Sequence, residues 1–413
     1  ECLVGSEMCI RDRFLPVTPE ILKGCHYKGG FDTVSIYLQN NPDSHFFASK
    51  GLILGGSHSP SPLNRNAHCG DLSAVLLQNL NPLVNLIRVP DKKIILMDEW
   101  ESKIKAIVES TWKTDVNSLS GVPSWMLVLI KAVLQKTGSE YLTDVWPNME
   151  VFFHGGISFE PYRDQYKALI PSDRMHYMET YNASEGFFGL QDNPEEHSLL
   201  LMIDYSVFYE FIPINEVGEE HPTVLPLEAV EVGKNYAMVI TTSGGLWRYQ
   251  IGDTVRFTSL YPHKFVISGR TKNFINAFGE ELMVDNADKA ISRVCRQTGA
   301  KVKEYTAAPL FMLDKAKGRH QWMIEFEKMP PSLDDFASLL DKTLQQLNSD
   351  YEAKRYKEIS LQPLEIRVAR EGTFYEWLRR KGKLGGQHKI PRLSNDRTFI
   401  AVSYTHLRAH ETL

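Results

Sequence analysis

The feature that most constrains this chain is a change of hydrophobic period part-way along it. At 71–80 and 94–112 apolar residues recur at helical spacing, and Pro123 stands where a first helical turn tolerates proline, opening a helix over 124–135. From about Val151 the pattern becomes a succession of short runs of strand formers: VFFHGG, MHYMETY, SLLLMIDY, VFYEFIPI, NYAMVITT, DTVRF and KFVISGR. A helical segment at 161–169 lies between the first two runs. Helices and strands that interleave in this way bury their apolar faces on one another, so the sequence predicts a layered α/β body. An antiparallel part is expected where SLLLMIDY and VFYEFIPI are separated by only a short turn.

After Gly269-Arg270 the pattern changes again. A helix at 284–297, strands at KVKEYTA and HQWMIEFE, an amphipathic helix at 333–352, a strand at LEIRVA and a short helix near Phe374 make a compact α+β unit. Its length, roughly 120 residues, is that of a small domain. The expected organisation is a large domain over 14–270 and a smaller C-terminal lid over 271–402, joined near 270–276. Residues 1–13 and 403–413 follow no periodic pattern and resemble translated sequencing adapter. They are left out of the fold argument, and with them Cys2, Cys9 and the His406/His410 pair.

Charge and cysteine usage exclude several roles. Lys and Arg total 46 against 51 Asp and Glu, a net charge of −5, and no long basic run is present. That removes the electrostatic footprint expected of a nucleic-acid binder or a peripheral membrane protein. The longest apolar stretches, such as 125–134 broken by Lys131, fall short of the ~20 residues that cross a bilayer. Five scattered cysteines without C-x-x-C spacing argue against a disulfide framework or zinc site and for a reducing, cytoplasmic setting. No secretory signal is legible.

Four segments beside strand patterns are rich in Gly and polar residues, where loops on a rigid sheet hold ligands: HGGISFEP (154–161), YNASEG (181–186), WRYQIGD (247–253) and GRTKNFINAFGEEL (269–282). In the first, Gly155 and Gly156 either let the backbone approach a ligand or merely permit a turn. In YNASEG, the ring of Tyr181 can lie against a flat base or pack in the core, and Glu185 can point toward phosphates or stand solvated. In WRYQIGD, a carboxylate at Asp253 can accept both hydroxyls of a ribose. No G-x-S-x-G elbow supports a hydrolase.

In order and spacing, these four segments resemble the adenylate-forming superfamily of acyl ligases and luciferases, and more closely the auxin-responsive Gretchen Hagen 3 family of acyl-acid amido synthetases, in its bacterial branch. The resemblance runs from Phe14 to about Val402. It implies an α/β, acyl-ligase-like large domain with a smaller α+β C-terminal domain, and an enzyme that uses ATP and Mg²⁺ to join a carboxylic acid to an amino acid. It implies nucleotide contacts from Gly155, Gly156, Tyr181, Asn182, Ser184, Asp253 and Arg270, with Asp253 on the ribose. Glu185 is implied as the Mg²⁺ carboxylate and Lys389 as the mobile catalytic lysine, while Arg270 and Lys272 open a hinge. Gln250 stands where the family often has Arg, leaving Arg248 as a candidate substitute. The family's first phosphate loop belongs immediately before FLPVT and is not in the chain; Gly55-Gly56-Ser57 lies too far downstream, and no Walker sequence occurs. The large domain is therefore expected to lack its N-terminal part. Two other readings stay open, an acyl-CoA synthetase and a non-catalytic binder of adenylates or acyl acids. The acid's identity and the oligomeric state are not legible, since Trp125 and Met126 suit an acyl pocket and a core equally.

Overall fold

The computed structural model describes residues 2–6, 13–56, 58–60, 68–160, 162–271, 274–275, 277–278, 280, 282–311, 318–355, 361–380, 390–395, 397 and 400. The first part of the chain carries β1 (Cys2–Ser6), β2 (Arg13–Val17), β3 (Lys50–Ile53), β4 (His58–Pro60), β5 (His68–Gly70), β6 (Arg88–Val89) and β7 (Val116–Gly121). The middle carries β8 (Val151–Gly155), β9 (His176–Ala183), β10 (Gly186–Leu190), β11 (Leu199–Leu201), β12 (Val207–Pro213), β13 (Leu225–Pro226), β14 (Asn235–Thr242), β15 (Tyr249–Leu260) and β16 (His263–Arg270). The last part carries β17 (Lys301–Phe311), β18 (Gly318–Lys328) and β19 (Glu365–Ala369).

One 12-stranded sheet dominates, in the order β13-β12-β14-β15-β16-β11-β10-β9-β8-β7-β3-β6. From β6 to β9 its neighbours are parallel, and from β9 onward they are antiparallel. Parallel neighbours need crossovers, and the helices Pro123–Thr137 and Arg163–Leu169 supply them between β7, β8 and β9. The first of these buries Met126, Leu127, Ile130, Val133 and Leu134, the 3–4 spacing of one helical stripe. That stripe meets Ile104, Ile107 and Val108 of the helix Trp100–Thr111 in a shared core with Leu52, Leu119 and Phe152 of the sheet. Gly138, in the left-handed region, ends the helix by giving its N–H to Leu134. A separate four-stranded sheet, β2-β1-β5-β4, takes in residues 2–6, which the sequence leaves without pattern.

Three sequence expectations are revised. SLLLMIDY and VFYEFIPI do not pair with each other: β11 lies between β10 and β16, whereas β12 pairs with β13 and β14. The seven-residue register of β12 on β14 offers far more ladder than the three residues of β11 could, and Met202 N–H stays bonded to Phe188 of β10. The pattern at 94–112 is two helices, Lys92–Ile95 and Trp100–Thr111, because the Glu99 carboxylate caps Glu101 and Ser102 at 3.0 and 2.7 Å. The pattern at 333–352 likewise breaks at Asn348, whose side chain accepts from Tyr351 N–H at 2.7 Å to start the helix Ser349–Arg355.

The C-terminal unit is the sheet β17-β18-β19 with the helices Val284–Thr298 and Leu333–Leu347 packed in a core of Ala290, Ile291, Tyr305, Trp322, Phe336 and Leu340. The segment after Arg270 joins this core at once. Ile275 and Leu282 are fully buried in it and bond each other's backbone at 3.0 and 2.8 Å. Nearby, the Glu280 carboxylate binds His320 at 2.7 Å and accepts from Phe278 N–H at 2.6 Å. No helix among the described residues is long and apolar enough to cross a membrane.

The close pairing of β8 with β9 leaves no room for a side chain at the end of β8. A Cβ at Gly155 would stand 2.4 Å from the Thr180 carbonyl oxygen, a backbone atom that has nowhere to go. Gly155→Ala should therefore lower the free energy of unfolding by about 1–3 kcal/mol, the usual cost of overpacking, measured by urea denaturation.

Candidate active site

At the β9 switch from parallel to antiparallel pairing, the loops at the strand ends diverge and leave a crevice. Here the crevice is a cavity of about 1110 Å³ between the large sheet and the C-terminal unit. It brings together Gly156, Tyr181, Asn182, Ser184, Glu185, Asp253 and Arg270. Gly155 does not line it; it sits in the β8–β9 ladder opposite Thr180. Lys389 and Lys272 lie outside the described residues. Of the two acyl-pocket candidates, Trp125 lines the cavity with its ring edge-to-face on Trp100, whereas Met126 is fully buried in the helical core.

Asp253 is the centre of the site. Gly252, with φ of +87°, sits in the irregular stretch of the β14–β15 ladder and turns the next residue inward. The Asp253 carboxylate is buried and held from two sides: Arg270 Nε, its cross-strand partner on β16, lies 2.9 Å from one oxygen, and the Tyr181 hydroxyl donates to the other at 2.5 Å. Each carboxylate oxygen accepts more than one donor, so capacity for ribose hydroxyls remains. Tyr181 departs from the base-stacking expectation. Its ring is buried edge-on against Phe188 and Phe265, at 5.1 and 6.1 Å, and burial with the neighbouring Asp253 charge holds its phenol well above the usual range. It orients Asp253 rather than offering a free face.

Glu185 follows in the turn between β9 and β10. It is buried, receives a long contact of 3.4 Å from the Tyr249 hydroxyl, and its carboxyl is pushed up by burial and by the Asp253 charge, against the pull of Arg270. A carboxylate held there without a cation is a ready partner for one. Asn182 is anchored by its side-chain oxygen on His26 Nδ1 at 2.9 Å. Arg248 does not replace the family's arginine: its side chain points to Glu210 at 3.0 Å and lies outside the cavity.

The C-terminal unit contributes a wall of charge that the sequence did not flag. Arg392 bonds the Tyr162 hydroxyl of the large domain at 3.0 Å, pairs with Glu304 at 3.1 Å and Asp288 at 3.9 Å, and covers the Tyr305 ring at 4.5 Å. Glu160 of the large domain is shared between Arg163 at 3.1 Å and the lid's Arg296 at 2.9 Å. Lys131 meets Glu327 at 3.2 Å, Lys303 serves Glu325 and Glu371, and Asp285 has Arg256 and Lys289. Apart from Glu160–Arg163 and Asp285–Lys289, three and four residues apart, these partners come from distant parts of the chain, so no local spacing announces them. Glu179 also lines the cavity. It had a local signal: an acidic residue two before Tyr181 falls on the same face of the strand.

The comparisons with known proteins agree in order along the chain. The GH3 family N-terminal domain matches residues 11–175, the central domain 200–270 and the C-terminal domain 285–398. The chain belongs to the GH3 family. Among its GH3 relatives, indole-3-acetic acid-amido synthetase GH3.4 of Arabidopsis thaliana is 30% identical over 318 residues, covering 69% of this chain and 51% of that protein. The 4-substituted benzoates-glutamate ligase GH3.12 of Arabidopsis thaliana is 27% identical over 336 residues, covering 72% and 57%. The chain thus spans about half the length of the curated relatives it matches. In structure it is similar to GH3.15 acyl acid amido synthetase, with a TM-score of 0.77 at 17% identity over 98% of this chain and 81% of that one. A 2-hydroxyisobutyryl-CoA ligase in the postadenylation state is also similar, at a TM-score of 0.59 and 12% identity, over 98% and 76%. The fold is therefore that of GH3 and other adenylate-forming enzymes.

The Tyr181 hydroxyl is a buried donor to a charged acceptor. Its removal in Tyr181→Phe should cost about 1.5–3 kcal/mol of stability, read from denaturant midpoints, without change in the m-value.

Proposed function

We propose that this GH3 protein activates a carboxylic acid with ATP as an acyl-adenylate and passes the acyl group to an amine, forming an amide. The observation that carries this reading is the convergence of Asp253, Arg270 and Glu185 on one cavity between sheet and lid. In it, Asp253 accepts the ribose hydroxyls with the lone pairs that Tyr181 and Arg270 leave open. Arg270 keeps guanidinium N–H groups for the phosphate edge, since only its Nε faces Asp253. Trp125 and Val128 supply an apolar wall for the acid, which suits an aromatic carboxylic acid of the kind named for the GH3.4 and GH3.12 relatives. The acceptor is an amino acid, as glutamate is for GH3.12.

The donor set fits Mg²⁺. Among the described residues no group of three or more His, Cys, Asp and Glu could hold a metal ion, and Mg²⁺ does not need one, because it keeps water and phosphate oxygens and takes one or two carboxylates. Glu185 is the carboxylate that would hold it, and the ion would neutralise phosphate charge. The acid's oxygen attacks the α-phosphorus and pyrophosphate leaves; the amine then attacks the acyl carbon and AMP leaves. The protein's part is to hold the two reactants in line and keep water out. Among the described residues Cys25 and Cys295 are free, their thiols pushed up to about 11 by burial, which suits a cytoplasmic location.

Two measurements test the reading. Acid-dependent exchange of pyrophosphate into ATP, with AMP as the product of amide formation, is expected across a panel of aromatic and aliphatic acids. Products of ADP and phosphate would replace it with an acyl-phosphate mechanism, and transfer to coenzyme A but to no amine would make it an acyl-CoA ligase. Asp253→Ala should weaken AMP binding by about 1.5–3 kcal/mol in calorimetry. Equal affinity in a folded variant would remove Asp253 from the site.

A further inference from the structure

Ten carboxylates of the described residues line the cavity, and eight of them have a cationic side chain within 4.0 Å. The two without one are Glu185 and Glu179. An amide-forming adenylate enzyme handles two cations, the metal and the acceptor, which arrives as an ammonium. Glu185 stands at the turn beside Asp253 and Tyr249, where the phosphates belong. Glu179 stands on β9, about 7 Å before Tyr181 on the same face. Its backbone is fixed by Gln191, which donates to its carbonyl at 2.9 Å and accepts from its N–H at 3.1 Å. Its carboxylate has no hydrogen-bond partner among the described residues.

We propose that Glu179 receives the acceptor amine as its ammonium and takes the proton that frees the nitrogen to attack. The proposal rests on the amide-forming reading above. The step balances: one N–H proton passes to a Glu179 oxygen, the nitrogen lone pair forms the C–N bond, the bond from acyl carbon to phosphate oxygen breaks with its electrons leaving on AMP, and the second ammonium proton goes to solvent. The groups that face Glu179 fit the task. His154, its register partner on β8, is held neutral by burial, its pKa down at about 3. Arg163, from the helix after β8, pulls the Glu179 carboxyl down, and Asp285, from the first lid helix, pushes it up. His197 lines the same cavity. Burial outweighs these and raises Glu179 to about 7, so both forms are populated near neutrality, as a proton acceptor requires.

The test begins from preformed benzoyl-adenylate and indole-3-acetyl-adenylate, which bypass ATP, with glutamate, aspartate and glycine as acceptors. In the wild type the amide-forming rate should rise with pH through a pKa near 7. Glu179→Gln should lower it about 100-fold or more and abolish that limb, with Glu179→Asp in between. With hydroxylamine, uncharged at neutral pH, the deficit should shrink to within about threefold, because no proton need be removed before attack. Equal losses with hydroxylamine and amino acids would make Glu179 merely structural, and an unchanged pH profile would remove it from the reaction. A wild type that binds AMP yet transfers neither acyl group to any amine would overturn the amide-forming reading and the role of Glu179 together.

A second readout needs no turnover. A carboxyl whose folded pKa lies above its unfolded value binds a proton the unfolded chain has lost, so the fold is increasingly destabilised as pH rises from about 4.5 to about 7. Glu179→Gln should therefore raise Tm more at pH 8 than at pH 5, and equal shifts at both would refute an uncompensated charge.

Discussion

The position of one buried carboxylate sets much of this site. Asp253 sits away from water, and a charge in that position persists only with close donors. Its two donors come from different strands of the antiparallel half of the sheet, one neighbouring its own and one at the switch. Arg270 is the last residue of β16, and Tyr181 belongs to the switch strand β9, with β11 and β10 between them in strand order. Satisfying Asp253 therefore draws the strand where pairing reverses toward the point where the chain leaves for the lid. Gly252, in the left-handed region, supplies the local backbone that aims the carboxylate.

The contacts that orient the lid differ widely in worth. Lys131–Glu327 is about half exposed on the lysine side and contributes little after screening and the entropy of holding a long side chain. Arg392 is nearly enclosed, with Glu304, Asp288 and the Tyr162 hydroxyl around it and its guanidinium held fully charged by them against the penalty of burial. Losing it would leave two acidic side chains without a counter-charge in a poorly solvated place. The seat of the C-terminal unit on the large sheet thus rests on several polar contacts, Arg392 to the Tyr162 hydroxyl, Arg296 to Glu160 and Arg256 to Asp285, supported by the apolar contact of Trp125 with the cluster of Phe374, Leu378 and Ile390.

How much the sequence disclosed depends on the range of the forces involved. Helical stripes such as Met126–Ile130–Val133 and the Pro123 start are local, and they were legible. The motif segments were legible as strand-end turns, and most of their residues, though not Gly155, line one cavity, because a strand followed by a Gly-rich turn constrains its own neighbours. The pairing partners of SLLLMIDY were not, since β16 lies more than sixty residues on and VFYEFIPI, its near neighbour, finds a longer register on β14. YNASEG leaves Tyr181 open between a base platform and a core position because nothing near it discloses Asp253, seventy-two residues on. Arg392 meets Asp288 and Glu304 across about a hundred residues of sequence, and its bond to Tyr162 and that of Arg296 to Glu160 form only when the two units meet, so spacing does not mark them.

The two carboxylates left without cations are informative for the same energetic reason. Elsewhere in this cavity every acidic side chain among the described residues has an Arg or Lys within 4.0 Å, and for the buried ones, Asp253, Asp288 and Glu325, an unpaired charge would be costly. Glu185 and Glu179 carry that cost, and burial pushes both carboxyls upward. A side chain that weakens the fold while facing a ligand-sized cavity is retained where function requires it and removed elsewhere, which is how local departures from folding rules come to mark sites. Their separation along one strand and its turn matches two distinct cationic species better than one, because a single bound cation would draw both oxygens to itself, as Arg392 does with Glu304 and Asp288.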